Sequence, residues 1–174
     1  MRVTIASILL LSFSVSLPGQ ERKSTVLFDG FKLVLTHSQE AGGDSLKEYI
    51  PEGEKLDSWT KLAGVWEYSK QNDPAEVANL MLDRVKQQNP LAPSQIMRHK
   101  ATGDVVLDLV SWSADNSFAE FNVFKFTKKP GGGVTGHQYA VREYKNPVEF
   151  LKGLNGVRER LVPLMFDKGL IVEK

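Results

Sequence analysis

Residues 94–144 contain four β-patterned stretches, at 94–101, 104–112, 118–128 and 134–144, separated by turn-forming segments of two to five residues. A parallel neighbour would need a crossover of a dozen or more residues, so these four strands must lie antiparallel, hairpin to hairpin. This constrains the fold more than any other feature of the chain. Three further stretches precede them: FKLVLT at 31–36, LKEYI at 46–50 and a Trp66-containing stretch at 62–68. Gly42-Gly43 and Pro51-Glu52-Gly53 mark the turns between them.

Two helices have clear start signals. Asp73-Pro74-Ala75-Glu76 places an N-cap Asp, a Pro in the first turn and a Glu able to return the cap. Val77, Leu80, Met81 and Val85 then recur at helical spacing, and Asn89-Pro90 ends the pattern. Asn146-Pro147-Val148-Glu149 opens a second helix, with Phe150, Leu151, Leu154, Val157 and Leu161 as its apolar stripe and Pro163 as its end. The expected fold is therefore α+β: an antiparallel β-sheet of about six to seven strands, with two helices (about 73–89 and 146–163) packed on one face. Residues 170–172 offer a further short edge strand. One domain spans 21–174.

That element order, β-β-β-α-β-β-β-β-α, resembles the Mog1/PsbP-like α+β sandwich, which also places one helix after its opening strands and one at its C-terminal end. The resemblance implies a binding or assembly accessory more than an enzyme. It carries over no functional residue.

Pairing Trp112 with Phe118 and Lys128 with Val134 divides the hairpin strands into two faces. Val105, Leu107, Leu109, Ala119, Phe121, Val123, Tyr139 and Val141 make one, to be covered by the helices. Asp108, Glu120, Asn122, Gln138 and Arg142 share the other, framed by Val106, Val110, Trp112, Phe118, Phe124 and Tyr144. A polar cluster framed by aromatics suits a ligand-binding sheet face, so Asp108, Trp112, Glu120, Asn122, Gln138 and Arg142 are the candidate binding residues. A water-facing sheet side with cross-strand ion pairs is the plainer account of the same pattern. A one-residue slip in register would redistribute all of them.

No catalytic residue is assigned. There is no GxSxG elbow, and His37, His99 and His137 lack metal-ligand spacing. Pro130-Gly131-Gly132-Gly133 lacks the Lys-Ser/Thr of a phosphate loop and reads as a hairpin tip. Trp59, Trp66 and Trp112 suit a core better than a sugar platform. No metal and no cofactor is implied, and with 0 Cys the chain has neither disulfides nor thiolate-ligated metals.

Residues 1–20 have the pattern of a secretory signal: Arg2, an apolar run from Val3 to Leu17, and no charge until Glu21. The run is shorter than the ~20 residues of a membrane-spanning helix, so no transmembrane segment is expected after signal removal. Arg2 is the only charge removed, which turns 22 basic and 21 acidic residues into 21 of each. An evenly balanced surface argues against nucleic acid as a partner. The expectation is a secreted or periplasmic, non-catalytic binding or accessory domain with a protein or small-molecule partner. The alternative is a small secreted envelope- or sugar-directed hydrolase using the carboxylates of Asp108 and Glu120.

Overall fold

The structure, a computed structural model, describes residues 24–173; the signal reading of residues 1–20 lies outside them. The chain builds β1 (Thr25–Phe28), β2 (Phe31–Ala41), β3 (Asp44–Ile50), β4 (Lys61–Tyr68), α1 (Pro74–Gln88), β5 (Ser94–Arg98), β6 (Val105–Trp112), β7 (Ala119–Lys128), β8 (Val134–Glu143), α2 (Pro147–Lys152), α3 (Leu154–Asp167) and β9 (Ile171–Glu173). The strands form one antiparallel sheet in the order β5-β6-β7-β8-β4-β3-β2-β1-β9.

The sheet curls into a half-barrel. Phe28 of β1 and Tyr139 of β8 have three strands between them in the sheet order, yet their rings meet at 4.6 Å. At ~4.8 Å per strand a flat sheet would hold them nearly 20 Å apart. Helix α3 fills the concave side. Its Leu161, Val162 and Met165 join Val26, Phe28, Leu33, Tyr49, Val106, Phe121, Val123 and Tyr139 in one core. Ion pairs tie it to both ends of the sheet, Arg158 to Asp108 in β6 and Arg160 to Asp29 in the β1–β2 turn. Helix α1 lies on the convex side, where Val77 and Ala78 pack on Val105, Leu107, Leu109, Phe124, Phe126 and Val134.

These findings correct the expected α+β fold of six to seven strands and two helices. The molecule is mostly sheet, with nine strands and three short helices among the described residues. The helices also take opposite faces of the sheet. Residues 105–110 are buried without interruption, so both sides of β6 need cover. The second helix divides at Gly153, whose N–H bonds back to the Glu149 carbonyl as a helix end, and α3 restarts at once. Pro163 sits inside α3, exposed to solvent, and does not end it. The unforeseen β1 is joined to β2 by Asp29-Gly30, both residues at positive φ (51° and 76°). That is the geometry a two-residue hairpin turn demands and Asp-Gly favours.

Two local events set which side chains meet. A bulge at Thr36 in β2 breaks the register between Leu35 and His37. Leu35 opposes Tyr49 of the concave core, whereas His37 and Gln39 turn to the convex face opposite Glu48 and Leu46. The β6–β7 hairpin is one residue out of the expected register. Ser113 N–H bonds to the Phe118 carbonyl, Ser113 Oγ accepts from Phe118 N–H, and Trp112 pairs with Ala119. Among the described residues no helix is long and apolar enough to cross a membrane.

Candidate functional site

The one-residue slip in β6 splits the expected cluster. Asp108 and Trp112 face the concave side under α3, while Glu120, Asn122, Gln138 and Arg142 stand on the convex side. The core face expected from the sequence divides likewise: Val105, Leu107 and Leu109 lie under α1, and Ala119, Phe121, Val123, Tyr139 and Val141 face the concave side. The carboxylates of Asp108 and Glu120 are thus on opposite sides of the sheet, each held by its own arginine. They do not form the paired acids a glycosidase needs.

On the convex side the four remaining residues form a chain of hydrogen bonds running one way. Trp66 Nε1 donates to Gln138 Oε1 at 3.2 Å, and Gln138 Nε2 donates to Asn122 Oδ1 at 2.9 Å. Asn122 Nδ2 donates to Glu120 Oε1 at 2.6 Å. Arg142 closes it, with Nε 2.8 Å and Nη2 2.6 Å from Glu120 Oε2. Every donor points toward the Glu120 carboxylate, so each bond polarises the next. The Arg142 guanidinium lies 3.9 Å from the Trp59 ring centre and 4.3 Å from that of Phe118. Its Nη1 also reaches the Tyr144 hydroxyl at 3.3 Å. Trp59 is buried at the end of the β3–β4 loop with Ile50, Leu62 and Ala140, which roofs this end of the chain.

Gly64 makes the other end possible. A Cβ there would stand 2.9 Å from Gln138 Oε1 and 3.0 Å from Trp66 Nε1, against the atoms that form the first bond. Trp66 then lines a cleft of about 420 Å3 between β2–β4 and α1. Leu46, Trp66 and Tyr68 supply its sheet wall and Val77, Leu80 and Met81 its helix wall, with Gln39, Asp44, Gln71 and Arg84 among the polar lining residues. The Trp66 and Tyr68 rings are parallel to within 6°, centres 6.2 Å apart. Burial pushes the Tyr68 hydroxyl up to about 12, with Arg84 opposing and Asp44 adding to the shift. The phenol therefore remains a proton donor throughout the neutral range.

Sequence reasoning missed this cleft. Helical spacing placed Met81 and Leu80 on the stripe of α1, but a stripe does not say that α1 leaves β2–β4 uncovered. The bulge that turns Gln39 toward the cleft had no recognised signal.

Beside the chain, Glu48 pairs with Gly64 on one side and His37 on the other. Burial raises its carboxyl above the usual value, and His37 opposes the shift. The folded protein holds that proton more tightly than the unfolded chain does. Stability therefore falls as pH rises from about 4.5 through the raised value. Glu48→Gln should be more stable than wild type at pH 7, and the advantage should vanish below pH 4.5. Urea unfolding at both pH values measures it; an advantage that persists in acid would contradict the assignment.

Among the described residues, no group of three or more His, Asp or Glu is placed to hold a metal ion. In class this is a curled antiparallel sheet with one helix in its concavity and a ligand-sized cleft under another. The chain belongs to the family whose model matches residues 18–167, a domain of unknown function. That match does not link it to the Mog1/PsbP-like sandwiches. No curated protein matches it.

Proposed function

We propose that this is an exported, non-catalytic binding domain whose ligand seat is the cleft between α1 and β2–β4. The observation that carries the reading is Trp66, which is at once a wall of the cleft and the terminus of the hydrogen-bond chain anchored by Glu120 and Arg142. Holding a large ring in one orientation lowers the entropy lost when a ligand packs against it. The cleft lies within the size range of small-molecule sites and combines apolar walls with a few polar groups. Export rests on the signal pattern of residues 1–20.

Thermal unfolding against a panel of small organic acids, sugars, lipids and peptidoglycan fragments tests it. A ligand at 100 times its dissociation constant stabilises the folded state by about 2.7 kcal/mol. That corresponds to a midpoint shift of roughly 5–10 °C for a domain of this size. Leu80 is 45% exposed on the cleft wall, so Leu80→Trp should fill the cleft and abolish the shift while the ligand-free midpoint stays nearly unchanged. A shift that survives Leu80→Trp would place the ligand elsewhere.

A further inference from the structure

We infer that the cleft takes an amphipathic organic anion, its apolar body against Leu46, Trp66 and Met81 and its charged head on Arg84 and the Tyr68 hydroxyl. The inference rests on the reading of the cleft as the binding seat and adds the chemistry of its occupant.

The walls select the body. Leu46, Trp66 and Met81 present only carbon, sulfur and an indole whose N–H is already donated to Gln138. Nothing on those three side chains is left to recognise a polar ligand backbone, so affinity there comes from apolar contact.

The charges at the cleft select the head. Both acids are engaged within the protein. Asp44 Oδ1 accepts from Ser69 N–H at 2.8 Å and Ser69 Oγ at 3.0 Å. Glu67 accepts from Lys129 Nζ at 2.5 Å and Thr135 Oγ1 at 3.1 Å. Arg84 is the opposite case: among the described residues its guanidinium has no ion pair. It is exposed on α1, one turn beyond Leu80, and lines the same cleft as Tyr68. Among the described residues the cleft lining therefore offers one cation without an ion pair, and a phenol donor on the same lining. A planar guanidinium fork of this kind matches a carboxylate, with the phenol as a further donor. A cationic head would be repelled by Arg84 and could be held only by Asp44, whose Oδ1 is already taken by Ser69, or by Glu67, already paired with Lys129. A neutral head would leave the guanidinium charge unused.

Three ligands with one tail and different heads test this: decanoate, decanamide and decyltrimethylammonium. Binding is read on the Trp66 indole N–H resonance of the purified protein, assigned through Trp66→Phe, and repeated on Arg84→Gln. The expected result is that decanoate moves the Trp66 signal, while decanamide binds about tenfold more weakly. Arg84→Gln should lower decanoate affinity by a similar factor and leave decanamide unaffected. Equal affinity for decanoate and decanamide, or preference for the ammonium, would overturn the anion inference and leave the cleft as a binding seat. A Trp66 resonance unmoved by all three ligands would overturn the inference, while the cleft reading is decided separately by the thermal panel and Leu80→Trp. Arg84 is solvent-exposed, so its substitution does not put the fold at risk.

Discussion

Arg142→Met should destabilise the protein by about 3–5 kcal/mol at pH 7, the usual cost of removing one partner from a buried charge pair. Glu120 is 9% exposed and takes three donor contacts, two of them from Arg142. Methionine replaces the volume of arginine but supplies no donor, so the carboxylate keeps only the Asn122 amide. Stacking of the guanidinium on Trp59 and Phe118 is lost as well. The companion Glu120→Gln/Arg142→Met should recover a substantial part of the loss, since it leaves no bare charge. Chemical unfolding of the two variants measures both effects. A single variant as stable as wild type would mean the pair acts as an ordinary surface bridge, and the chain behind Trp66 would lose its anchor. Because Asn122 and Gln138 connect that anchor to Trp66, Arg142→Met should also weaken binding at the cleft, although Arg142 is not among the residues that line it.

The second large effect is expected on the opposite face. Asp108 is 0% exposed beneath α3, and Arg158 Nε and Nη2 reach its Oδ1 at 3.0 and 2.5 Å. Its Oδ2 is buried and has no hydrogen-bond partner among the described residues. Burial raises the Asp108 carboxyl, and the Arg158 hydrogen bonds and charge oppose that rise. Arg158→Met removes the opposition. The expected loss is about 3 kcal/mol at pH 7, the low end of the range for a broken buried pair, because the Arg158 side chain is itself 30% exposed. The pH dependence follows from the direction of the shift. A carboxyl whose folded value is raised costs stability as pH climbs from the unfolded value, near 3.9, through the folded one. The gap between Arg158→Met and wild type should therefore narrow as pH falls toward 4. Asp108→Asn/Arg158→Met should close much of it at pH 7. A gap that is constant with pH would show that Arg158 stabilises α3 by packing alone.

Sequence patterning revealed most of this molecule one element at a time and little of it between elements. Hairpin spacing placed β6, β7 and β8 to within two residues at each end, and the Lys128–Val134 pairing across the glycine loop is the one the structure has. Glu120 and Arg142 were therefore legible as cross-strand partners. Asp108 and Trp112 were assigned to the wrong face by a single step of register. That step depends on Ser113 bonding to Phe118 across a loop whose Asn116 adopts positive φ, an event that alternation of side chains does not encode. The face of each helix was hidden for a different reason. An apolar stripe shows that a helix is buried, whereas the curl of the sheet decides which side receives it. The Asp29-Gly30 hairpin was readable from its dipeptide, and with it β1. The Glu120–Arg142 chain was half visible, because its Trp66 end requires Gly64 to be recognised as an absence of side chain on the facing strand.

The central claim is that the cleft under α1 is the binding seat. The methionine methyls report on it directly, since the described residues contain three methionines in three different places. Met81 lines the cleft, Met165 lies in the concave core, and Met97 packs against that core from β5. In protein labelled with 13C at the methionine methyls, titration with decanoate, or with any ligand that shifts the thermal midpoint, should move the Met81 resonance and leave Met97 and Met165 in place. A ligand that moves Met97 or Met165 while Met81 stays still would contradict the claim and assign binding to the concave side.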